Sequence, residues 1–354
     1  MSQFKIKTNL AKKKDLFNVL ALAKAIQLPV LLIGDPGVAK TAAVMDFAAT
    51  LKGGVLDNED VFMLETDEGT RSNAIKGNVD IEALTTKNKY QVIAPVADAS
   101  FVIINEIDKA SASLRNSLLG VMNERKIFNG SEKKDCKWET FVATCNKIPE
   151  DEKGSPFWDR FAITFNVGRL RESEMLQYFV DGGRDNIEEY IVHLPDPGQV
   201  EANIKTLDIK KVKKVIDLVY TKLSDRTLSY LPMLVANIMC VYTTSQDRAF
   251  VKAVDLLVGK TEADILAKSI MSKELRALYD KVDMIASCTN DDQYRKIMTT
   301  INDMGDALSK AGKLAKEDEA DIIARATEAQ DKLPFLSDET EEEEVLDAVE
   351  ALDF

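Results

Sequence analysis

One stretch constrains this chain more than any other: Gly34-Asp35-Pro36-Gly37-Val38-Ala39-Lys40-Thr41, which lies between the apolar run 29–33 and a helix-prone run that starts at Ala42. A buried strand that enters such a turn and then a helix directs backbone N–H groups and a helix N-terminus at one point, and this arrangement binds phosphate. Lys40 can reach terminal phosphates, and the Thr41 hydroxyl can ligate magnesium. The stretch from Gly34 to Ala42 therefore predicts a phosphate-binding loop, although the strict pattern has glycine where Ala39 stands.

Composition limits the class of protein. A chain of 354 residues with 45% hydrophobic residues has room for two or three domains with substantial cores. The formal net charge is −13, and residues 337–354 contain nine acidic side chains and no basic one. The rest of the chain lacks the basic stripe that duplex binding requires, so nucleic acid is not the first partner to expect.

Cysteine usage and hydropathy bear on the compartment. The four cysteines match no zinc spacing, and nothing near Met1 resembles a signal peptide, so we expect a reducing cytoplasm. No run approaches about 18 apolar residues, so no membrane span is predicted.

Apolar, β-branched runs alternate with helical stretches in the first half of the chain. The predicted strands are 29–33, 61–64, 100–104, 138–145 and 162–167, and the predicted helices are 10–27, 42–49 and 108–123. This alternation predicts an α/β fold with a mainly parallel sheet between two helical layers. Two inserted hairpins are expected, one from strands 79–84 and 90–93, and one over 126–138, where Asn129-Gly130 signals a reverse turn.

Past Gly168 the pattern predicts helices and no further strand. Helical spacing covers 173–180, 209–223, 227–242 and 248–258, which we assign to an all-helical domain over 170–259 that follows an α/β domain over 1–169. Helices at 265–283, 293–308 and 315–333 predict a helical C-terminal extension over 260–336. The acidic segment 337–354 is expected to be a solvated tail, because its like charges repel one another.

Polar residues follow the predicted strands, where an open α/β sheet has its ligand site. Together with the phosphate loop they include a carboxylate that can orient or deprotonate water, an amide that can hold that water, and two arginines that can stabilise transition-state charge. These are the parts that phosphoryl transfer needs. The set is Lys40, Thr41, Asn105, Glu106, Asn146, Arg160 and Arg226.

Three members of the set also have a plain structural interpretation. Asp159-Arg160 can form a surface ion pair, Arg226 can be a helix N-terminal arginine, and Asn146 can be a turn residue. Their order between apolar strands favours nucleotide binding over three separate coincidences.

The order and spacing of the set resemble an AAA+ ATPase, and more closely the MoxR family in the helix-2-insert clade of P-loop NTPases. GDPGVAKT is similar to that family's alanine-containing P-loop. The resemblance covers roughly residues 15–258. Further similar pieces are Ala94-Pro95-Val96, NEIDKAS at 105–111, SLLGVMNERKI at 117–127, FVATCN at 141–146, Asp159-Arg160-Phe161 and Ser224-Asp225-Arg226.

The resemblance implies a role for each member of the set. Lys40 and Thr41 would be the Walker A phosphate and magnesium residues, and Glu106 the Walker B catalytic glutamate. Asn146 would be sensor 1, Arg160 an arginine finger offered to a neighbouring subunit, and Arg226 the sensor 2 arginine of a helical lid. The two hairpins would be the helix-2 insert and the pre-sensor-1 hairpin, which face a pore or substrate.

The resemblance also implies cofactors and partners. ATP and Mg²⁺ are expected, with Thr41 and Asn105 as the metal residues. A ring-shaped homo-oligomer, a hexamer, is expected to remodel or activate a protein partner, since MoxR relatives act with partners that often bear a von Willebrand A domain.

The residue before Glu106 departs from the family pattern, which has aspartate there. The Asn105 amide brings no charge to magnesium, so metal affinity should fall, unless Asp108 supplies charge from further out. Two alternatives therefore stay open beside the ring ATPase. One is a nucleotide-gated binding scaffold with little hydrolysis, and the other is a DNA-acting motor that uses the hairpin lysines Lys126, Lys133, Lys134 and Lys137.

Overall fold

The computed structural model describes residues 2–57, 59–87, 90–130, 132–152, 154–270, 273–311, 316–330 and residue 333. The chain divides into two compact units, Met1–Leu266 and Ala267–Phe354. The finer boundaries expected at residues 169, 259 and 336 stay a prediction, and the acidic tail 337–354 lies outside the described residues. None of the described helices is both long and apolar enough to cross a membrane.

The strands and helices are numbered in chain order. The strands are β1 Ser2–Thr8, β2 Val30–Ile33, β3 Val61–Glu65, β4 Asn78–Val79, β5 Val92–Ile93, β6 Phe101–Asn105, β7 Lys126–Asn129, β8 Glu132–Asp135, β9 Thr140–Cys145, β10 Ile163–Asn166 and β11 Glu188–Leu194. The helices of the first unit are α1 Lys14–Ile26, α2 Lys40–Leu51, α3 Asn73–Lys76, α4 Ile81–Lys87, α5 Pro95–Asp98, α6 Ala112–Leu119, α7 Glu172–Val180, α8 Pro197–Lys205, α9 Ile209–Val219, α10 Asp225–Ser229, α11 Leu231–Val241 and α12 Gln246–Val258. The remaining helices are α13 Lys260–Ile270, α14 Lys273–Asp283, α15 Asp291–Lys310 and α16 Lys316–Gln330.

A five-stranded parallel sheet lies at the centre of the first unit, in the order β10-β2-β9-β6-β3. Its central strand, β9, is buried along its whole length. Near-continuous apolar strands of this kind are typical of parallel sheets that are covered on both faces. The five strands predicted for the core are therefore confirmed, with ends shifted by one or two residues.

Alternation along β6 separates the two faces of the sheet. Val102 and Ile104 belong to a buried cluster with Leu114 of α6. Phe101 points the other way, and its ring centroid lies 6.5 Å from that of Phe47 on α2. Helices thus cover both faces, and the predicted three-layer α/β fold is confirmed.

The prediction that no strand follows Gly168 is wrong. β11 pairs antiparallel with β1 from Ser2↔Leu194 to Thr8↔Glu188, and neither strand was predicted. In β1 only Ile6 and Thr8 are buried, and Lys5 and Lys7, on either side of Ile6, face solvent. The period-2 signal was therefore present but short, and charged residues diluted it.

The first predicted hairpin is wrong in its details, whereas the second is confirmed. β4 and β5 pair over only two residues each, and helix α4 occupies most of the segment predicted as the first strand. β7 and β8 form an antiparallel hairpin from Lys126↔Asp135 to Asn129↔Glu132. The Asn129 amide donates to the carbonyls of Lys76 and Gly77, at 3.2 Å each, so the hairpin contacts the insert.

Helices dominate after β11, with two differences from the predicted pattern. Helix α8 was missed because Asp196-Pro197 resembles a turn, whereas the Asp196 carboxylate accepts from Gly198 and Gln199 N–H and caps the helix. The single helix predicted over 227–242 is two helices, α10 and α11, with a proline in the first turn of α11.

The second unit has its own core. Leu278, Tyr279, Ile285, Tyr294 and Ile301 are buried in a cluster formed by α14, α15, α16 and the short turn between α14 and α15. The helix predicted over 265–283 is two helices, α13 and α14, and residues 271 and 272 between them lie outside the described residues. The other two predicted helices are confirmed as α15 and α16.

Candidate active site

The predicted phosphate loop joins β2 to α2. The Gly34 N–H donates to the Cys145 carbonyl at 3.2 Å, at the carboxyl end of β9. Ala39 adopts a φ of 63°, and α2 begins at the next residue. The first N–H groups of a helix have no intrahelical acceptor. The N-terminus of α2 is therefore available to an anion held by the loop.

Gly34 has no room for a side chain, because a Cβ there would lie 2.4 Å from the Val167 carbonyl oxygen. We expect Gly34→Ala to lower the free energy of unfolding by about 1 to 3 kcal/mol, since backbone must shift to relieve the overlap. Gly168→Ala is the matched control: no atom lies within 4 Å of its Cβ position, so its effect should stay within about 0.5 kcal/mol. Denaturant unfolding measures both, and equal stabilities would contradict the close approach.

Lys40 folds back over the loop. Its ammonium donates to the carbonyl oxygens of Gly34 (2.5 Å) and Asp35 (3.0 Å). Burial lowers the pKa of Lys40 below its ordinary value, and nearby acidic groups offset part of that effect. A partly desolvated cation whose acceptors are only neutral carbonyls gains strongly from an anion, so Lys40 suits the phosphate-binding role.

Asn105 connects the ends of two strands to the first turn of α2. Its side-chain oxygen accepts from the Thr41 hydroxyl at 2.9 Å and from the Thr144 hydroxyl at 3.2 Å. Thr41 lies in the first turn of α2, Asn105 ends β6, and Thr144 lies near the end of β9. The residues predicted as metal ligands, Thr41 and Asn105, are therefore in direct contact.

Glu106 has an unusual backbone conformation at the carboxyl end of β6. Its φ is 55°, in the left-handed region, and its N–H donates to the Thr144 hydroxyl at 3.3 Å. The Thr66 hydroxyl donates to the carbonyls of Asn105 (3.0 Å) and Glu106 (2.7 Å). The Glu106 carboxylate forms an ion pair with the Lys109 ammonium at 2.6 Å, and this pairing raises the pKa of Lys109.

Two clefts meet at the phosphate loop. The smaller has a volume of about 320 Å³ and contains Lys40, Thr41, Asn105, Glu106 and Asn146, so five predicted site residues line one space. The larger, about 860 Å³, shares the stretch 36–39 with it and extends between the residues before α1 and those of α7. A nucleotide with its phosphates on the loop would place its nucleoside, the base and the sugar, in the larger cleft.

Arg160 does not line either cleft. It ends a short 3₁₀ turn, Trp158–Arg160, and its guanidinium contacts Asp159 at 3.3 Å. Its Nε is buried and has no hydrogen-bond partner among the described residues. The ion pair agrees with the plain structural interpretation, and the finger role stays a prediction that needs a neighbouring chain.

Arg226 does not line either cleft. Its guanidinium donates to the Asn123 side chain at 3.0 Å. Arg125, two residues after Asn123, donates to the carbonyls of Gln27 and Trp138. These two residues precede β2 and β9, respectively, at the amino ends of the strands. Among the described residues no contact joins Arg226 to the phosphate loop, and its sensor role also stays a prediction.

The oxygen donors fit magnesium. Mg²⁺ binds oxygen and retains waters, so the Thr41 hydroxyl and the Asn105 amide oxygen would hold it directly or through water. The carboxylate of Asp108 has an oxygen, Oδ1, that is buried and has no hydrogen-bond partner in the described part of the chain. Its negative charge contributes to raising the pKa of Lys40 and that of Cys145. Asp108 is thus placed to add the negative charge that Asn105 lacks.

Three contacts of the site were missed by sequence reasoning. Thr66 and Thr144 hold the backbone and side chain of the Asn105-Glu106 pair, and Lys109 pairs with the Glu106 carboxylate. Thr66 is the first residue after β3 and is only 1% exposed. A polar residue at a strand's carboxyl end was the available signal, because that edge of the sheet carries the site.

The sheet order, the phosphate loop after β2 and the carboxylate after β6 define an α/β nucleotide-binding ATPase fold of the AAA+ class. The family model described as the MoxR domain in the MoxR-vWA-beta-propeller ternary systems matches residues 2–209, more than half of the chain. The chain therefore belongs to the MoxR family of AAA+ ATPases, and the resemblance seen in the sequence is confirmed.

Curated relatives match over part of their length. The uncharacterized protein MJ0812 of Methanocaldococcus jannaschii is 26% identical over 192 residues, 54% of this chain and 50% of that protein. The structural protein ORF618 of Acidianus two-tailed virus is 29% identical over 194 residues, 53% of this chain and 30% of that protein. The chain thus spans half or less of the length of these two relatives.

A solved structure supports the fold alone. The crystal structure of a candidate ATPase from Cytophaga hutchinsonii superimposes with a TM-score of 0.50 at 17% identity, covering 69% of this chain and 81% of that one.

Proposed function

We propose that this chain hydrolyses ATP with Mg²⁺. The observation that carries the proposal is the 2.9 Å hydrogen bond from the Thr41 hydroxyl to the Asn105 amide oxygen. This bond joins the end of the phosphate loop to the strand end that bears Glu106, within one cleft. Phosphoryl transfer depends on positioning and charge stabilisation, and those depend on this juxtaposition.

Each residue of the cleft has a defined task in this proposal. The Lys40 ammonium moves from the loop carbonyls to the terminal phosphates, Asn146 holds the attacking water, and Glu106 orients it and takes its proton. Bound Mg²⁺ supplies charge neutralisation at the phosphate oxygens. The 2.6 Å ion pair with Lys109 must open first, because it occupies a carboxylate oxygen that would otherwise accept from the water.

Turnover with Glu106→Gln tests the proposal. We expect Mg-ATP turnover to fall by about 10²-fold or more with nucleotide affinity little changed, because the amide keeps the shape but cannot accept a proton. Glu82→Gln, on the exposed α4, is the matched control and should keep full activity. Equal turnover in the two variants would refute the catalytic assignment.

Asn105→Asp should lower the magnesium concentration for half-maximal rate. A carboxylate keeps the acceptor that Thr41 and Thr144 use and adds charge, and a charge-assisted contact exceeds a neutral one by about 1 to 2 kcal/mol, which predicts a shift of about five- to thirtyfold. Rate against magnesium is measured for both forms. Identical curves would mean that Asn105 does not act on the metal, and its assignment would be withdrawn.

A nucleotide-gated scaffold is the second candidate, and the Glu106–Lys109 ion pair favours it together with the uncharged Asn105. In that case Asn105→Asp should raise turnover from a negligible base while nucleotide affinity hardly changes. The DNA-motor alternative has less support, because three of the four hairpin lysines are engaged: Lys134 and Lys137 pair with Asp98 at 2.5 and 3.1 Å, and Lys126 pairs with Asp135 at 3.7 Å.

The proposal includes a ring, a hexamer, in which Arg160 serves the site of a neighbouring chain. It also includes a partner with a von Willebrand A domain, supported by the matching family description. A reducing compartment such as the cytoplasm is part of the proposal, since all four cysteines are buried as free thiols.

A further inference from the structure

Arg115 of α6 contacts two turns that carry proposed site residues. One end of its guanidinium donates to the Asp108 carbonyl at 2.7 Å, two residues after Glu106. The other end forms an ion pair with Glu152. The Arg115 side chain is only 14% exposed. A single planar group therefore joins the turn of residues 106–109, called here the catalytic turn, to the segment after β9.

The same guanidinium packs on the turn that bears Arg160. Its central carbon lies 5.6 Å from the ring centroid of Phe157 and 5.4 Å from that of Trp158. The Trp158 indole N–H donates to Glu152 at 2.9 Å, so the acceptor of the Arg115 ion pair also holds this turn. The Arg160 N–H donates to the Phe157 carbonyl at 3.2 Å. Arg115 and Glu152 thus hold the turn of residues 157–160, which carries the proposed arginine finger Arg160.

Apolar packing alone does not require arginine at this position. A buried charge costs desolvation free energy, and the Arg115 Nε is buried with no hydrogen-bond partner among the described residues. The rigid guanidinium fork can donate in two directions and stack on aromatic rings at once, whereas a lysine ammonium is a single point. An arginine at position 115 is therefore suited to hold the two turns in a fixed relative geometry.

We propose that Arg115 is a positioning residue that sets Arg160 relative to the catalytic turn. In the proposed ring, Glu106 acts on the ATP of its own chain and Arg160 on that of a neighbour. Arg115 then couples the geometry of two adjacent ATP sites. This inference rests on the proposed function, and it adds a residue outside both clefts.

Arg115→Met tests the inference. We expect ATP turnover to fall by about 10²-fold, because displacement of a catalytic group by about 1 Å has an effect of that size. The ATP dissociation constant should change by no more than about threefold, since a finger contributes to the transition state rather than to ground-state binding. Arg115→Lys should recover only part of the rate. Arg276→Met, on α14, is the control for an exposed arginine.

Mixing separates positioning of the finger from a general structural role. Arg115→Met chains mixed with Glu106→Gln chains should regain turnover, because some sites then combine an intact Glu106 with a correctly held Arg160. Adding Arg115→Met to Arg160→Ala should cost little more than Arg160→Ala alone, since Arg115 then has no finger left to position. A mixture that stays inactive, or fully additive losses, would overturn the inference.

Glu152→Gln covers the case in which Arg115→Met fails to fold. The amide oxygen can still accept from Trp158, but the charged partner of Arg115 is lost, so turnover should fall about five- to thirtyfold with an unchanged unfolding midpoint. Full turnover in this variant overturns the inference. If wild-type turnover depends on Glu106 but Arg115→Met keeps full turnover, the inference is wrong and the proposed function stands. No turnover in the wild type defeats the proposed function as well.

Discussion

Replacing Arg160 by alanine is expected to lower ATP turnover by about 10³- to 10⁵-fold while leaving nucleotide affinity nearly unchanged. An arginine finger stabilises charge that develops in the transition state, and one supplied by another chain has an effect of this size. Arg160 fits such a role because it lies outside both clefts of its own chain, on a turn that buried aromatic rings hold in place. Turnover and the ATP dissociation constant are measured together.

Complementation identifies the chain on which Arg160 acts. Chains with Arg160→Ala and chains with Glu106→Gln should each be inactive, and a mixture should regain turnover, since an intact Glu106 can then meet an intact Arg160. Specific activity of the wild type should also rise with protein concentration as rings assemble. An inactive mixture with concentration-independent wild-type activity would reject the shared site.

Lys40→Ala should weaken ATP binding by about 10²- to 10⁴-fold. Hydrogen bonds to charged groups contribute about 1.5 to 3 kcal/mol each, and an ammonium between two phosphates makes two of them. Titration with a labelled nucleotide measures the affinity, and Lys52→Ala, in the exposed turn after α2, is the control. Unaltered affinity in a folded Lys40→Ala chain would reject the phosphate loop.

The pH dependence of binding has a definite sign. Burial lowers the pKa of Lys40, and a bound polyanion favours its charged form, so the affinity is complete below the pKa of the free protein and decreases above it. Because that pKa lies below the ordinary lysine value, the decrease should begin at a lower pH than for a solvent-exposed lysine. The alanine variant should show no such decrease.

The sequence predicted the central sheet because its strands are apolar on both faces. β2, β6 and β9 are nearly continuous hydrophobic runs. β2 leads into the phosphate loop, β6 ends at Asn105 and β9 is followed by Asn146, so the parallel topology brings these residues to one edge. Lys40, Thr41, Asn105, Glu106 and Asn146 were therefore predictable as one cluster. This part of the site depends on strand order and spacing alone.

The missed features depend on pairing between distant residues. β1 and β11 have one wet face and several charged residues, so neither resembles a core strand alone. The Glu106–Lys109 pair depends on a left-handed φ at Glu106, which no local propensity predicts. The contact of Arg226 with Asn123 depends on how the helices after β11 pack, which the sequence pattern does not specify.

The antiparallel pair of β1 and β11 also has a mechanical consequence. β1 is attached to the helix that follows the phosphate loop, through the Thr8 hydroxyl on Asp46 at 2.6 Å and the Phe4 ring against Phe47. β11 leads directly into helices α8 to α12. Those helices are thus tethered to the loop helix at two points, the covalent link after β10 and the ladder to the first eight residues. Any rotation of the helices must either carry β1 with it or break that ladder, so the pairing of β1 with β11 restrains motion about the proposed ATP site.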